Sequence, residues 1–95
     1  MVITVVAHYR ALEGKADEVA ARLVAYAEIV RTEPGCVTFV VNRDLSDDGA
    51  FVLYEVYRDQ AALDAHVASE HFTAVAVCEI RPLLADRQVS RLTPL

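Results

Sequence analysis

The sequence predicts a single α+β domain over residues 1–95, in which helices cover one face of a four-stranded antiparallel sheet. Three observations predict it. The chain has 95 residues, close to the commonest domain size. Its strand-like and helix-like segments follow the order β-α-β-β-α-β, the split, ferredoxin-like arrangement. Its hydrophobic fraction of 55% exceeds the roughly 45–50% of an average soluble domain, so we expect a partner's sheet to cover the open face in a two-fold homodimer.

The first strand and the first helix follow from two different periodicities. Residues 2–10 are β-branched or aromatic almost throughout and predict a strand. A helix is predicted from about residue 15 to residue 31, because apolar residues recur there at i, i+4, i+7 and i+11. These residues are Val19, Leu23, Tyr26 and Val30. Glu33, Pro34 and Gly35 end the helix, since proline disfavours helical geometry in the residue before it.

The middle of the chain predicts a hairpin. Residues 36–44 and 50–58 are strand-like, and the turn sequence at 46–49 joins them. Alternation in the second of these strands places four residues on one face. The four residues are Phe51, Leu53, Glu55 and Tyr57.

The rest of the chain predicts two helical segments and a last strand. Asp59 is placed to cap a helix that begins at residue 60. Ser69 can cap a second segment that runs to about residue 84, with Pro82 disturbing its last turn. Residues 87–93 predict a weaker final strand.

Composition excludes several classes of function. A net charge of −5 and a pI near 5.0 argue against nucleic acid, because no basic stripe is available to neutralise phosphates. No apolar run approaches the ~18 residues of a membrane span. Cys36 and Cys78 share no metal-like spacing, which favours two small buried hydrophobes in a reducing cytosol. The N-terminus lacks the regions of a signal peptide, so we expect a cytoplasmic protein.

The candidate catalytic residues are Glu55, His66 and His71. Glu55 lies mid-strand among apolar residues, where burial would raise its pKa and suit a general acid or base, although a structural carboxylate is the alternative. His66 lies on or beside the inward face of its helix. On a continuous helix, His71 would lie about 140° around from it. Both histidines can face one pocket only if the helix breaks near Ser69.

Four further residues are candidates for binding a substrate. Tyr9, Tyr57 and Phe72 are predicted to pack in the core or to form the wall of a pocket for an aromatic ligand. Asn42 could orient a carbonyl or hydroxyl group of the substrate, or it could face solvent. The three glycines are scattered, and no zinc or nucleotide motif occurs, so the sequence predicts no metal and no cofactor.

Five short motifs resemble those of the antibiotic biosynthesis monooxygenase (ABM) family, nearly from end to end. They are GK-x-(D/E) at 14–17, EPGC at 33–36, YE-x-Y at 54–57, H-x4-H-F at 66–72 and RPLL at 81–84. The resemblance implies a dimeric α+β barrel with a ligand cavity between sheet and helices in each subunit. It also implies oxidation by O₂ without flavin, haem or metal.

The resemblance extends to the candidate site. Glu55, His66 and His71 match polar positions that recur in the family, and Tyr57 stands where many members have tryptophan. The segment 51–72 looks most similar to the branch of the quinol monooxygenases and the autoinducer-2 degradation protein of the Lsr system. The haem-degrading branch is disfavoured, because its haem-ligating histidine falls on Ala76 here.

We therefore predict a cofactor-independent monooxygenase that oxidises a small hydroquinone or anthrone-like substrate with O₂. Glu55 or a histidine would remove the proton that starts the reaction. An alternative is an isomerase or lyase acting on a small phosphorylated dione. That chemistry needs a cationic grip on phosphate, and the candidates are Arg10, Lys15, Arg43 and Arg58. A second alternative is a non-catalytic, dimeric ligand-binding module.

Overall fold

A computed structural model describes residues 1–95 and shows a four-stranded antiparallel sheet in the order β2-β3-β1-β4. Its strands are β1 (Ile3–Ala11), β2 (Cys36–Arg43), β3 (Ala50–Tyr57) and β4 (Leu84–Leu92). Its helices are α1 (Ala16–Val30), α2 (Gln60–Ala68) and α3 (Phe72–Ile80). A single 3-10 turn, Arg81–Leu83, joins α3 to β4. The predicted ferredoxin-like α+β fold is confirmed.

The sheet register determines which side chains meet under the helices. Val5 of β1 lies opposite Glu55 of β3 on one side and Arg91 of β4 on the other. Phe39 of β2 in turn lies opposite Glu55. Side chains of directly paired residues point to the same face of a sheet. One row across the helix-covered face therefore carries an aromatic ring, a carboxyl group, an apolar residue and an arginine.

The main core lies between this face and helices α1 and α3. The predicted stripe of α1 is fully buried there, as its apolar periodicity requires. It packs with buried residues of the strands and of α3, including Phe39, Leu53 and Ile80. A smaller cluster, formed by Ile3, Val5, Tyr57, Ala62 and Leu63, packs beneath α2. None of the helices has the length and apolar character that a membrane span requires.

The region after Ser69 differs from the prediction of one helix to residue 84. Ser69 is extended and its Oγ accepts a hydrogen bond from the Phe72 N–H at 3.2 Å, so it does cap a new helix. That helix, α3, is π-helical, and its last hydrogen bond runs from the Arg81 N–H to the Ala76 carbonyl. Strand β4 begins at Leu84 instead of residue 87, because β1 extends to Ala11 and pairs with Leu84 after an irregularity.

The cysteines correct a second expectation. Both thiols are free, and Cys36 is half-buried with its pKa raised, mainly by burial. Cys78 is exposed, although it was expected to be buried. The physical reason lies in α3, whose buried residues are Ala76 and Ile80. Cys78 lies two residues from each of them and therefore points to the outer side of the helix.

Candidate functional site

A cavity of about 210 Å³ lies between the helix-covered face of the sheet and helices α2 and α3. Eleven of its 16 lining residues are hydrophobic. The other five, which carry the charge and the proton chemistry, are Glu55, His66, Arg81, Arg87 and Arg91. A mostly apolar cavity with a few convergent polar groups is the usual form of a small-molecule site.

Glu55 is the only carboxyl group that lines the cavity. Its side chain is buried, and Tyr57 Oη donates a hydrogen bond to Glu55 Oε1 at 2.6 Å. Burial raises the pKa of Glu55 to about 7, while the bond from Tyr57 and the charge of Arg87 act in the opposite direction. The sequence left open whether Glu55 faces the cavity or the open face, and the register of β3 places it in the cavity. A carboxyl group with this pKa is half ionised near neutral pH and can both accept and return a proton.

His66 lines the same cavity as Glu55, but it belongs to helix α2, on the other side of the cavity from the sheet. It is 4% exposed, and its Nδ1 lies 2.8 Å from Glu33 Oε2. An ionised carboxylate only accepts hydrogen bonds, so an ionised Glu33 takes the hydrogen of Nδ1, and in a neutral imidazole the lone pair is then on Nε2. That Nε2 lies 3.5 Å from Tyr26 Oη, which burial keeps neutral by raising the pKa of Tyr26. His66 is thus held in the tautomer that acts as a base on the cavity side.

His71 does not line the cavity, although the break at Ser69 that would allow it is present. Its Nε2 instead lies 2.5 Å from Glu33 Oε2, the same oxygen that binds His66. The two histidines therefore converge on Glu33 instead of on the substrate cavity. Sequence reasoning assigned Glu33 only to the end of α1, and its place in the EPGC motif was the one signal of a further role.

Glu33, His66 and His71 could also hold a metal ion. One ligand atom from each lies within 4.8 Å of the others. Two imidazoles and one carboxylate are a donor set that suits Zn²⁺ or Fe²⁺. The cluster is also complete without an ion, because one carboxylate oxygen accepts from both imidazoles. Both ring orientations are then fixed by hydrogen bonds alone.

The structure divides the four predicted substrate-binding residues into two groups. Tyr9 and Phe72 line the cavity. Tyr57 is fully buried behind Glu55 and reaches the site only through its hydrogen bond to that carboxyl group. Asn42 lies outside the cavity because the alternation of β2 turns it to the open face. There its amide donates to the carbonyl of Val52 at 3.1 Å.

The cationic residues of the site also differ from the predicted ones. The four predicted residues form surface ion pairs, which are Arg10 with Asp47, Lys15 with Glu18, Arg43 with Asp17 and Arg58 with Asp59. The cavity is lined instead by Arg81, Arg87 and Arg91. Sequence reasoning missed Arg87 and Arg91 because the face of β4 that they occupy depends on its register with β1. It missed Arg81 because that residue lies in the turn between α3 and β4.

Comparisons with known proteins agree with this fold. The sequence model of the antibiotic biosynthesis monooxygenase family matches residues 2–77. PA3566 from Pseudomonas aeruginosa has a TM-score of 0.91 at 30% identity, over 99% of this chain and 94% of that chain. Rv0793 from Mycobacterium tuberculosis has a TM-score of 0.91 at 28% identity, over 100% and 96%. A crystal structure named antibiotic biosynthesis monooxygenase has a TM-score of 0.89 at 31% identity, over 98% of each chain.

One curated relative is longer than this chain. Protein sll1783 from Synechocystis is 33% identical over 70 residues, which are 74% of this chain and 48% of the relative. The chain thus spans about half the length of that relative. The similarity between the two therefore concerns the domain described here.

Proposed function

Because the chain belongs to the antibiotic biosynthesis monooxygenase family, we propose that it oxidises a small, electron-rich aromatic substrate with O₂ and without a cofactor. One observation carries the proposal. Glu55, whose carboxyl pKa is about 7, and His66, whose Nε2 lies beside the Tyr26 hydroxyl, line the same apolar cavity. The two groups supply a base and an acid at neutral pH, and the apolar wall limits the access of water.

The size of the cavity supports a single-ring substrate. Its volume is about 210 Å³, whereas an apolar cavity of about 150 Å³ is known to bind benzene. A hydroquinone with one or two substituents therefore fits within this volume. Tyr9 and Phe72 supply aromatic wall on which such a ring can pack. Hydroquinones are accordingly the favoured substrates.

The proposed reaction begins with removal of a phenolic proton by Glu55 or by His66 Nε2. The electron-rich phenolate then passes one electron to O₂, and the resulting radical pair recombines to form a carbon–oxygen bond and a hydroperoxide. The phenolic proton, returned by Glu55 or His66, completes the hydroperoxide. Glu55 or His66 then removes the hydrogen of the oxygenated ring carbon, and the C–H electron pair forms the new C=O bond while the O–O bond breaks. The departing hydroxide takes up that proton and leaves as water. One hydroquinone and one O₂ thus give one hydroxyquinone and one water, and the substrate supplies all the electrons.

We also propose that two copies of the chain pair through the open face of the sheet. Val6, Val52 and Val56 are only half-buried there, and Tyr54 is 45% exposed at the same face. An apolar sheet face of this kind is typical of a two-fold interface. Tyr54→Glu should convert the dimer to a monomer in size-exclusion chromatography with light scattering. A wild-type protein that is monomeric at micromolar concentration contradicts this proposal.

Oxygen uptake tests the proposed reaction directly. EDTA-treated protein is mixed with a panel of hydroquinones, and O₂ consumption is compared with the rate in buffer alone. We expect uptake above that rate in wild-type protein, and its loss in Glu55→Gln and in His66→Ala. Glu28→Gln is the matched control, because Glu28 is an exposed carboxylate of α1. Absence of uptake with every hydroquinone contradicts the proposal and leads next to a phosphorylated dione under nitrogen.

A further inference from the structure

We propose that the substrate carries an anionic group, a carboxylate or a phosphate, which binds Arg81, Arg87 and Arg91 at the mouth of the cavity. The inference deepens the proposed function and rests on the same cavity. It concerns the part of the substrate that does not contact Glu55 or His66, the proposed base and acid. Two features of the molecule support it, namely the pairing of its charges and the placement of these three side chains.

The pairing of charges singles out these arginines. The protein has 14 acidic and nine basic residues and a net charge of −5, so carboxylates are in excess. Five basic residues form ion pairs with them, namely Arg10, Lys15, Arg22, Arg43 and Arg58. Arg31 donates instead to the Phe39 carbonyl. The three remaining basic residues have no carboxylate within ion-pair distance, and all three line the cavity.

The fold aims these side chains at the cavity. Arg87 lies opposite Tyr9 and Arg91 lies opposite Val5, and both of these β1 residues line the cavity. Arg81 reaches it from the 3-10 turn, with its guanidinium 5.7 Å from the centre of the Phe72 ring. The three cations therefore come from two different elements and line one cavity.

Arg81 provides a second, independent observation. Its Nε is buried and has no hydrogen-bond partner, and it is the only buried side-chain nitrogen or oxygen in the chain of which this is true. A buried donor without a partner costs free energy, so such atoms are rare in folded proteins. A turn of the guanidinium toward an acceptor oxygen of a ligand in the cavity would satisfy it. Guanidinium groups bind carboxylate and phosphate oxygens in paired, charge-assisted hydrogen bonds.

The arrangement also orients the substrate. Glu55 and Arg91 flank Val5 in one row of the sheet, so their strands lie two strand spacings apart, or about 10 Å. With its anionic group at the arginines, a single ring extends inward toward Glu55 and His66. The phenolic hydroxyl then meets the base at the far end of the cavity from the anion. The arginines thus position the ring, and Glu55 with His66 performs the proton transfers.

Titration calorimetry under nitrogen tests the inference without requiring turnover. The probes are 2,5-dihydroxybenzoate, 4-hydroxyphenyl phosphate and neutral hydroquinone, which share one hydroxylated ring. We expect at least one of the two anions to bind about 10- to 100-fold more tightly than hydroquinone, the range that charge-assisted hydrogen bonds provide. The anion with the larger preference identifies carboxylate or phosphate as the natural group. Equal binding of all three probes overturns the inference.

Variants locate the site. Arg87→Gln and Arg91→Gln change exposed residues of β4 and should abolish most of the preference for the anion over hydroquinone. Arg22→Gln, on the outer side of α1, is the matched control and should keep the preference. An anion preference that survives both β4 variants contradicts the assignment. Anion binding without oxygen uptake keeps this inference and rejects the monooxygenase, whereas uptake with no anion preference does the reverse.

Discussion

Glu55→Gln is predicted to stabilise the protein above neutral pH while removing its base. The pKa of Glu55 rises from 4.5 to about 7 in the folded protein, chiefly because the carboxyl group is buried. The folded state therefore binds this proton more tightly than the unfolded state does. The contribution of Glu55 to the free energy of unfolding then falls as pH rises from about 4.5 to about 7. Outside that window this contribution does not change with pH. Glutamine cannot ionise, and its carbonyl can still accept the bond from Tyr57.

The size of the effect follows from the same pKa values. At about 1.4 kcal/mol per pKa unit, the difference between 4.5 and about 7 corresponds to roughly 3 kcal/mol. The variant should therefore be more stable than wild type by less than about 1 kcal/mol at pH 5 and by roughly 3 kcal/mol at pH 8. The excess at pH 8 measures the cost of keeping an ionised carboxylate in an apolar cavity.

Urea unfolding followed by circular dichroism, at one protein concentration and at pH 5, 6, 7 and 8, measures this difference. Groups that titrate equally in both proteins cancel, so the change in the difference with pH belongs to Glu55. Glu28→Gln is the control, and its difference from wild type should not change over this range. A Glu55→Gln difference that is constant with pH would refute the reasoning. The same ionisation predicts that kcat/KM rises as pH increases through about 7.

Three other perturbations address the helical layer. Glu33→Gln should lower kcat on the order of 10²-fold with little change in KM. The reason is that an amide can donate to His66 Nδ1 and move the imidazole hydrogen to Nε2. Steady-state oxygen uptake measures both constants. Added Zn²⁺ should inhibit oxygen uptake by binding Glu33, His66 and His71, and EDTA or a His71→Ala substitution should relieve the inhibition. Gly35→Ala should destabilise the fold by about 1–3 kcal/mol in urea unfolding, since its Cβ would lie 2.3 Å from Ala62 Cβ and push α2 away from the sheet.

The sequence predicted the features that depend on neighbouring residues. The stripe from Val19 to Val30 has the helical period, and its burial against the sheet follows from that period. The alternation of β3 placed Glu55 and Tyr57 on one face, where they are hydrogen-bonded. Asp59 caps α2 by accepting from the Ala62 N–H at 2.8 Å. Each of these is a local preference that the tertiary structure reinforces.

The features that sequence reasoning missed depend on how distant segments meet. Glu33 and His71 are 38 positions apart, and only the packing of α2 and α3 against the end of α1 brings them together. Arg87 faces the cavity because it pairs with Tyr9, a register that no local pattern of β4 specifies. The π-helical form of α3 likewise has no periodicity that distinguishes it from an ordinary helix. Half of the candidate site is therefore a product of register and docking.

The two layers of the domain contribute different parts of the proposed chemistry, and electrostatics connects them. The sheet holds Glu55 together with Arg87, whose charge keeps the pKa of Glu55 from rising further than about 7. The helical layer holds His66 in one tautomer through Glu33, which lies outside the cavity. An apolar cavity alone would make Glu55 too weak an acid to be ionised at neutral pH. Arg87, one of the arginines that we assign to the substrate's anion, therefore also serves the base, because its positive charge favours the carboxylate and the developing phenolate.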